Sequence, residues 1–451
     1  MMCGITGAVW TDAGEPIGGD TLARMTDVLA HRGPDDRGCY TSHVASQTFP
    51  GAVAGVALGF RRLSIIDLTC GNQPLSNEDG SVWLVFNGEI YNYRTLRKRL
   101  EGSGHHFRTA GDTETLVHLY EDEGTDFLKH VEGMFALALW DSRRRQLVLA
   151  RDRLGKKPLV YRLESERLLF ASELKSILEV PGVPREIDAS ALDEYLAYQY
   201  VPHPNTIFRG IRKLPPGHLA VYRDRRLRIE AYWKPDFTRE VNRPAADYRA
   251  ELRQSLTAAV EKRLQSDVPL GAFLSGGVDS SIVVGLMSQL AKEPVRTFSI
   301  GFPVAEFDET SYARQVAQQL GTIHQEFQVK PDALAILPKL VWHYDEPFAD
   351  SSAVPTYYVS QLTRQHVTVA LTGDGGDELF AGYPRYRAVE LGAWFDRLPN
   401  GLARWAVSDH WQRLPGGARQ KSWLRKFKRL VGALGQPAER RYFDWISIFN
   451  E

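Results

Sequence analysis

A length of 451 residues exceeds what one hydrophobic core usually organises and predicts two or three domains. The composition, 43% hydrophobic and 24% charged, is that of a soluble globular chain; Lys plus Arg and Asp plus Glu number 55 each, so bulk charge gives no case for a nucleic-acid or membrane-surface partner. No apolar run reaches membrane-spanning length and the start lacks the segments of a secretory signal, so the cytoplasm is the expected compartment.

The chain opens Met1-Met2-Cys3-Gly4. If translation begins at Met2, its removal leaves Cys3 first, with a thiol of ordinary pKa about 8.5 beside an amine near 7.7–8.0 that can act as its own base. Cys39 and Cys70 are expected to be free thiols, since three cysteines make neither a disulfide framework nor a spaced metal set. Polar groups then recur at apolar strand ends: His31-Arg32-Gly33-Pro34, Arg61-Arg62-Leu63, Phe86-Asn87-Gly88-Glu89 and Gly111-Asp112-Thr113-Glu114. The run Ser81–Phe86 predicts a buried strand ending at an Asn87-Gly88 turn. Asp112 reads as the N-cap of a helix that stops near Gly124. Short strands are predicted at 134–140, 146–150, 158–161 and 168–171, with a charged turn at 151–158 and a last hairpin at 214–233. Many strands with few helices indicate a layered α+β domain. Residues 234–244 read as a linker.

From Asp247 the pattern becomes long helices and short buried strands. The order predicts an open, mostly parallel sheet, whose ligands bind at the C-terminal strand ends. Two glycine turns fall at such ends: Leu274-Ser275-Gly276-Gly277-Val278-Asp279-Ser280 and Thr372-Gly373-Asp374-Gly375-Gly376-Asp377-Glu378. The first lacks the Gly-Lys-Ser/Thr of a Walker A loop, yet its glycine N–H groups with Ser275 and Ser280 can hold a pyrophosphate. Asp279 and Asp377 can hold Mg²⁺, which takes oxygen ligands.

Taken in order, these motifs resemble the glutamine-hydrolysing asparagine synthetases over nearly the whole chain. The resemblance implies an N-terminal-nucleophile glutaminase sandwich at residues 1–235 and an α/β adenine-nucleotide α-hydrolase-like domain at 245–451. It makes Cys3 the nucleophile on the glutamine carboxamide and the Asn87 side chain with the Gly88 N–H the oxyanion hole. Arg62, Glu89 and Asp112 become glutamine-binding positions, Arg62 for the α-carboxylate and Asp112 for the α-amino group. Leu274, Ile300, Thr372 and Gly373 match nucleotide contacts, and Asp279 an acid of the pyrophosphate loop. Asp374, where some members carry Glu, is expected to assist amination. Tyr344 to Ser352 is expected to line the acceptor site. ATP, Mg²⁺, L-glutamine and L-aspartate are the implied cofactors and substrates, with ammonia passing inside the protein, and a homodimer is compatible with the resemblance. The same machinery could amidate another carboxylate, such as a cell-envelope precursor, and a binder without turnover is a third reading. The chain stops at Glu451 in an apparently helical region where family members run on, so its C-terminal part is expected to be incomplete.

Overall fold

In the computed structural model, residues 3–43, 53–238, 241–304, 308–399, 407–408, 411 and 423–447 are described. Met1 and Met2 lie outside them. Short apolar strands in the first half form two antiparallel sheets. One contains β1 (Gly4–Thr11), β2 (Asp36–His43), β3 (Val53–Arg62), β8 (Val160–Leu163), β9 (Arg167–Ala171) and β10 (Arg212–Lys213), in the order β10-β8-β9-β1-β3-β2. The other contains β4 (Leu75–Ser76), β5 (Val82–Ile90), β6 (Gly133–Asp141), β7 (Gln146–Arg151), β11 (His218–Arg223) and β12 (Arg226–Ala231), in the order β12-β11-β7-β6-β5-β4.

Side chains alternate across a strand, and that period of two sorts the core. Ile5 and Val9 of β1 meet Val85, Ala136 and Ala138 between the sheets. Ala8 and Trp10 point the other way, toward Leu22 and Met25 of α1 (Gly19–Asp27). On β5, Leu84 and Phe86 pack outward against Leu116 and Tyr120. These belong to α3 (Thr113–Glu123), which lies beside α2 (Tyr93–Gly102). The result is two sheets between helix layers, with the first sheet's outer face also covered by α4 (Leu174–Ile177) and α5 (Ala189–Tyr198).

One expected turn is not a turn. β5 continues through Asn87 and Gly88, which pair with Ala136 and Phe135, and ends at Ile90 opposite Gly133. The glycine serves close strand approach instead: a Cβ at Gly88 would lie 2.2 Å from the Met134 carbonyl oxygen. Staying in the strand keeps Asn87 in step with Val85, on the side that faces the other sheet.

The second half forms a parallel sheet of order β15-β14-β13-β16, from β13 (Leu270–Phe273), β14 (Arg296–Gly301), β15 (Ile323–Gln328) and β16 (Val369–Leu371). Val260 of α6 (Ala245–Arg263), Val284 and Met287 of α7 (Val278–Leu290) and Ala313 and Ala317 of α8 (Thr310–Leu320) pack with Ala272, Leu274 and Leu371. α9 (Ala333–Tyr344) and α10 (Ala353–Thr363) precede β16, and α11 (Gly376–Phe380) and α12 (Pro384–Phe395) follow it. α7 starts at Val278, so Asp279 and Ser280 stand in its first turn. The halves touch through directed bonds: the Asp267 N–H donates to the Ile65 carbonyl at 3.0 Å, and the Asp67 N–H donates to the Asp267 carboxylate at 2.9 Å.

Candidate active site

Because Gly4 pairs with Arg61, Cys3 falls beside the end of β3, where its Sγ lies 3.4 Å from the Leu63 nitrogen. The three site residues of β5 run past the same point. Cys3, Arg62, Asn87, Gly88, Glu89 and Asp112 therefore line one narrow cavity of about 60 Å³. Asn87 is almost fully buried, and among the described residues neither its Oδ1 nor its Nδ2 has a hydrogen-bond partner. Buried polar atoms are normally paired, so an orphaned amide on a cavity wall is a group positioned for a ligand.

Arg62 is buried and held by neutral acceptors, the Asn72 Oδ1 at 2.9 Å and the Asp67 carbonyl. Asp67 shapes that wall with a left-handed backbone (φ 53), and its carboxylate accepts the Ala110 and Gly111 N–H groups at 2.9 and 3.1 Å. Asp112 occupies the position before α3 but makes no capping bond to it; its carboxylate takes the Ile90 N–H at 2.8 Å. The N-cap expectation therefore holds for its position and not for its bonding.

Withdrawal from water dominates the electrostatics here, because burial disfavours the charged form of any group. It pushes the Cys3 thiol up, against the Leu63 backbone bond and the charges of Lys157, Arg32 and Arg62. Burial also raises Glu89, against Lys157 and Arg263. Asp112 is pushed to about 7, first by burial and further by the charge of Glu89. Lys157 is brought down to about 8 by burial, with Glu89 opposing.

Lys157 is the site residue that sequence reasoning passed over as part of a charged turn. The organiser is Asp152, fully buried, whose carboxylate accepts the N–H groups of Leu154, Lys156, Lys157 and Phe135 at 2.9–3.2 Å. A loop tied to its own buried acid turns Lys157 inward. The one local signal was an Asp followed within three residues by a glycine, Gly155, which adopts φ +67.

In the second half, Leu274, Ile300 and Thr372 stand at the C-terminal ends of the neighbouring strands β13, β14 and β16. Gly276 has φ +82, and a Cβ there would lie 2.6 Å from the Ala313 nitrogen of α8. Ser275 and Ser280 close the loop with their hydroxyl oxygens 3.0 Å apart, and Ser275 Oγ accepts the Gly277 N–H at 3.2 Å. The second turn packs directly on the first turn of α7. A Cβ on Gly373 would come 2.8 Å from the Ser280 nitrogen, and one on Gly376 2.4 Å from the Asp279 Cγ. The Asp377 carboxylate lies against Gly382, and Asp374 accepts the Thr372 hydroxyl at 2.9 Å. The structure thus packs the two glycine turns against each other, with carboxylate oxygens on both, which is the donor chemistry Mg²⁺ takes.

A larger cavity of about 720 Å³ lies between the halves. Ile65, Glu89 and Lys157 line it and the narrow cavity alike, and on its far side are Phe273 and Ala370, just ahead of the two glycine turns.

A cysteine at the mouth of a two-sheet sandwich, next to a parallel-sheet domain with glycine turns, defines a glutamine amidotransferase module joined to a nucleotide-type synthetase module. The family model described as a glutamine amidotransferase domain matches residues 2–233, and that described as asparagine synthase matches residues 251–450. "Asparagine synthetase [glutamine-hydrolyzing] 1" of Bacillus subtilis is 38% identical over 434 residues, covering 96% of this chain and 65% of the relative. A Mycobacterium tuberculosis relative is 40% identical over 470 residues, covering 100% of this chain and 69% of its own. "Amidase chyE" of Penicillium rubens is 33% identical over 445 residues, covering 93% of this chain and 62% of that protein. The chain belongs to the glutamine-hydrolysing asparagine synthetase family, and spans about two thirds of the length of the first two relatives. No described helix is long and apolar enough to cross a membrane.

The position of Gly88 sets a first test. Gly88→Ala puts a methyl group against the Met134 carbonyl, where only backbone can yield. It should lower the melting temperature and cut glutamine hydrolysis together, at a cost of about 1–3 kcal/mol for an overpacked position. Unchanged melting and hydrolysis would mean β5 and β6 are not held as closely as described.

Proposed function

We propose that the protein is a glutamine-dependent asparagine synthetase, converting ATP, L-aspartate, L-glutamine and water to AMP, diphosphate, L-asparagine and L-glutamate. The observation that carries this reading is the shared wall: Ile65, Glu89 and Lys157 border both the pocket beside Cys3 and the cavity that reaches β13 and β16. Along that wall, ammonia released at Cys3 would pass toward the second crevice with less exposure to bulk protons.

Cys3 attacks the carboxamide carbon of glutamine and forms a thioester. Burial keeps its thiol protonated at rest, so the free amine of Cys3, once it heads the chain, takes the proton directly or through water. The orphaned Asn87 amide and the Gly88 N–H supply donors for the developing oxyanion. Arg62 pairs with the α-carboxylate through its guanidinium fork, and Asp112 and Glu89 accept the α-ammonium. In the second crevice the Ser275–Ser280 loop cradles the ATP phosphates, with Leu274, Ile300, Thr372 and Gly373 around the nucleotide. Asp279 and Asp377 would hold Mg²⁺, which supplies charge neutralisation on the phosphates when bound. Asp374 assists amination of the activated acceptor.

A second acceptor is favoured by two observations. The interdomain cavity is far larger than one amino acid requires, and an amidase is among the relatives. Formation of AMP that needs aspartate supports the first reading; AMP formation indifferent to aspartate supports a larger carboxylate, such as a cell-envelope precursor.

Two sets of variants test the assignment. Cys3→Ala should abolish use of glutamine and leave synthesis from added ammonium, while Asp279→Ala should do the reverse, keeping glutamate release and losing AMP. Loss of both activities in either variant would contradict two separable sites. The pH profile gives an independent check. Asp112 must be charged to hold an ammonium group, and its pKa is raised to about 7. Hence kcat/KM for glutamine should steepen its fall below about pH 7, where Asp112 adds up to tenfold per unit to the loss that protonation of the Cys3 amine already causes. Asp112→Asn should raise KM and leave only the shallower limb of the Cys3 amine; an unchanged steepness would deny Asp112 its role.

A further inference from the structure

Beside Cys3, and outside the lining of the narrow cavity, a chain of buried ionic contacts crosses from one half of the molecule to the other. The Arg32 Nε donates to the Cys3 carbonyl at 3.0 Å, and its Nη1 pairs with the Glu173 Oε1 at 2.6 Å. Arg32 Nη2 is buried and has no partner among the described residues, so Glu173 alone fixes the far end of this guanidinium. Lys175 reaches Glu173 Oε2 at 2.6 Å and Asp345 Oδ1 at 2.8 Å, and its own N–H donates to Asp345 Oδ2 at 3.0 Å. The side chains of Arg32, Glu173, Lys175 and Asp345 are each about one-tenth exposed.

Asp345 belongs to the second half and caps α9 in a left-handed conformation (φ 64). The two residues before it, His343 and Tyr344, line the interdomain cavity. His31 closes the same seam: it bonds Glu173 at 2.9 Å and sets its ring edge-on to Trp342 of α9, with centroids 4.6 Å apart. Burial works against the Glu173 charge, yet the His31 bond and the charges of Arg32 and Lys175 outweigh it and hold its pKa at about 2.

Buried ion pairs seldom add much net stability, because desolvation offsets their attraction; their best-attested use is to fix a register. Here the register fixed is that of the Cys3 main chain relative to the lip of the acceptor cavity. We propose that Lys175, by bridging Glu173 to Asp345, is a positioning residue that sets Cys3 through Arg32, so that the second domain holds the nucleophile of the first in its working place. This rests on the proposed role of Cys3 as the glutaminase nucleophile. Lys175 touches neither cavity, and its effect is transmitted wholly through Glu173 and Arg32.

The test compares the full chain with Lys175→Met, Lys175→Arg, Asp345→Asn and the Lys175→Met/Asp345→Asn double variant. Two rates are read: kcat and KM for glutamate release from glutamine, and the alkylation rate of Cys3 by iodoacetamide, which needs no turnover. Lys175→Met and Asp345→Asn should each lower kcat and alter the alkylation rate by roughly 2- to 30-fold, the span expected for residues acting at a distance. KM should stay within about twofold, since the glutamine-pocket walls are untouched, and Lys175→Arg should restore most of the loss. The double variant should be no worse than the more affected single one, as expected for members of one bridge. Should Lys175→Met fail to fold, Asp345→Asn, which keeps the side-chain size, carries the test with both rates. Unchanged kcat and alkylation, or a KM that rises in parallel with the loss of kcat, would overturn the proposal. A native chain that releases no glutamate would count against the glutaminase reading, while the alkylation comparison would still decide whether the bridge positions Cys3.

Discussion

The constraint on which the rest depends is the exclusion of water from the seam where β1, β3 and β5 meet. Burial is the leading influence on Cys3, Glu89, Asp112 and Lys157 alike, raising the acids and lowering the base. Within the proposed function, four ionisable groups so weakly screened by water are placed to respond in charge to a zwitterionic substrate. The packing that produces this is ordinary. Aliphatic residues on the facing sides of both sheets close the interior, and the polar groups appear only at the strand ends, where the sheets open.

The second domain meets this seam and extends it. Ile65, Glu89 and Lys157 border the narrow cavity beside Cys3 on one side and the interdomain cavity on the other. Asp267 ties the segment before β13 to the loop that also carries Arg62's partner, Asp67. A change at either site is therefore a few bonded contacts from the other. Within the proposed function, this arrangement lets a neutral, reactive nitrogen cross between chemistries that need different surroundings: a dry acyl-transfer pocket and a phosphate cradle at the ends of parallel strands.

Much of this was legible in the sequence because its signals are local. Glycine turns following short apolar runs marked Ser275–Ser280 and Thr372–Asp377, and alternating helices and strands gave the parallel sheet. Asn87-Gly88 misled for a physical reason. Asn-Gly is a strong turn signal, but the glycine is required by a neighbouring strand, and the partner carbonyl, Met134, lies 46 residues away in the chain. Lys157 was hidden in the same way: its inward course depends on the buried Asp152 bonding to the loop and to Phe135 on β6. The bridge through Glu173 and Lys175 left no sequence pattern, since Arg32, Glu173 and Asp345 come together only when three separate segments are folded. In α6, Leu252, Leu256 and Val260 recur at four-residue spacing, yet only Val260 is buried, because spacing places residues on one face without saying what covers that face.

The central claim is that nitrogen freed beside Cys3 travels within the protein to the second crevice. Amide-¹⁵N glutamine supplied together with an excess of unlabelled ammonium, with ATP and aspartate present, tests it directly. Enclosed passage predicts asparagine labelled far above the isotopic ratio of the mixed ammonia pool. Asparagine carrying only the ratio of the pool would mean that the ammonia escapes to water first, and that the shared wall is not a passage.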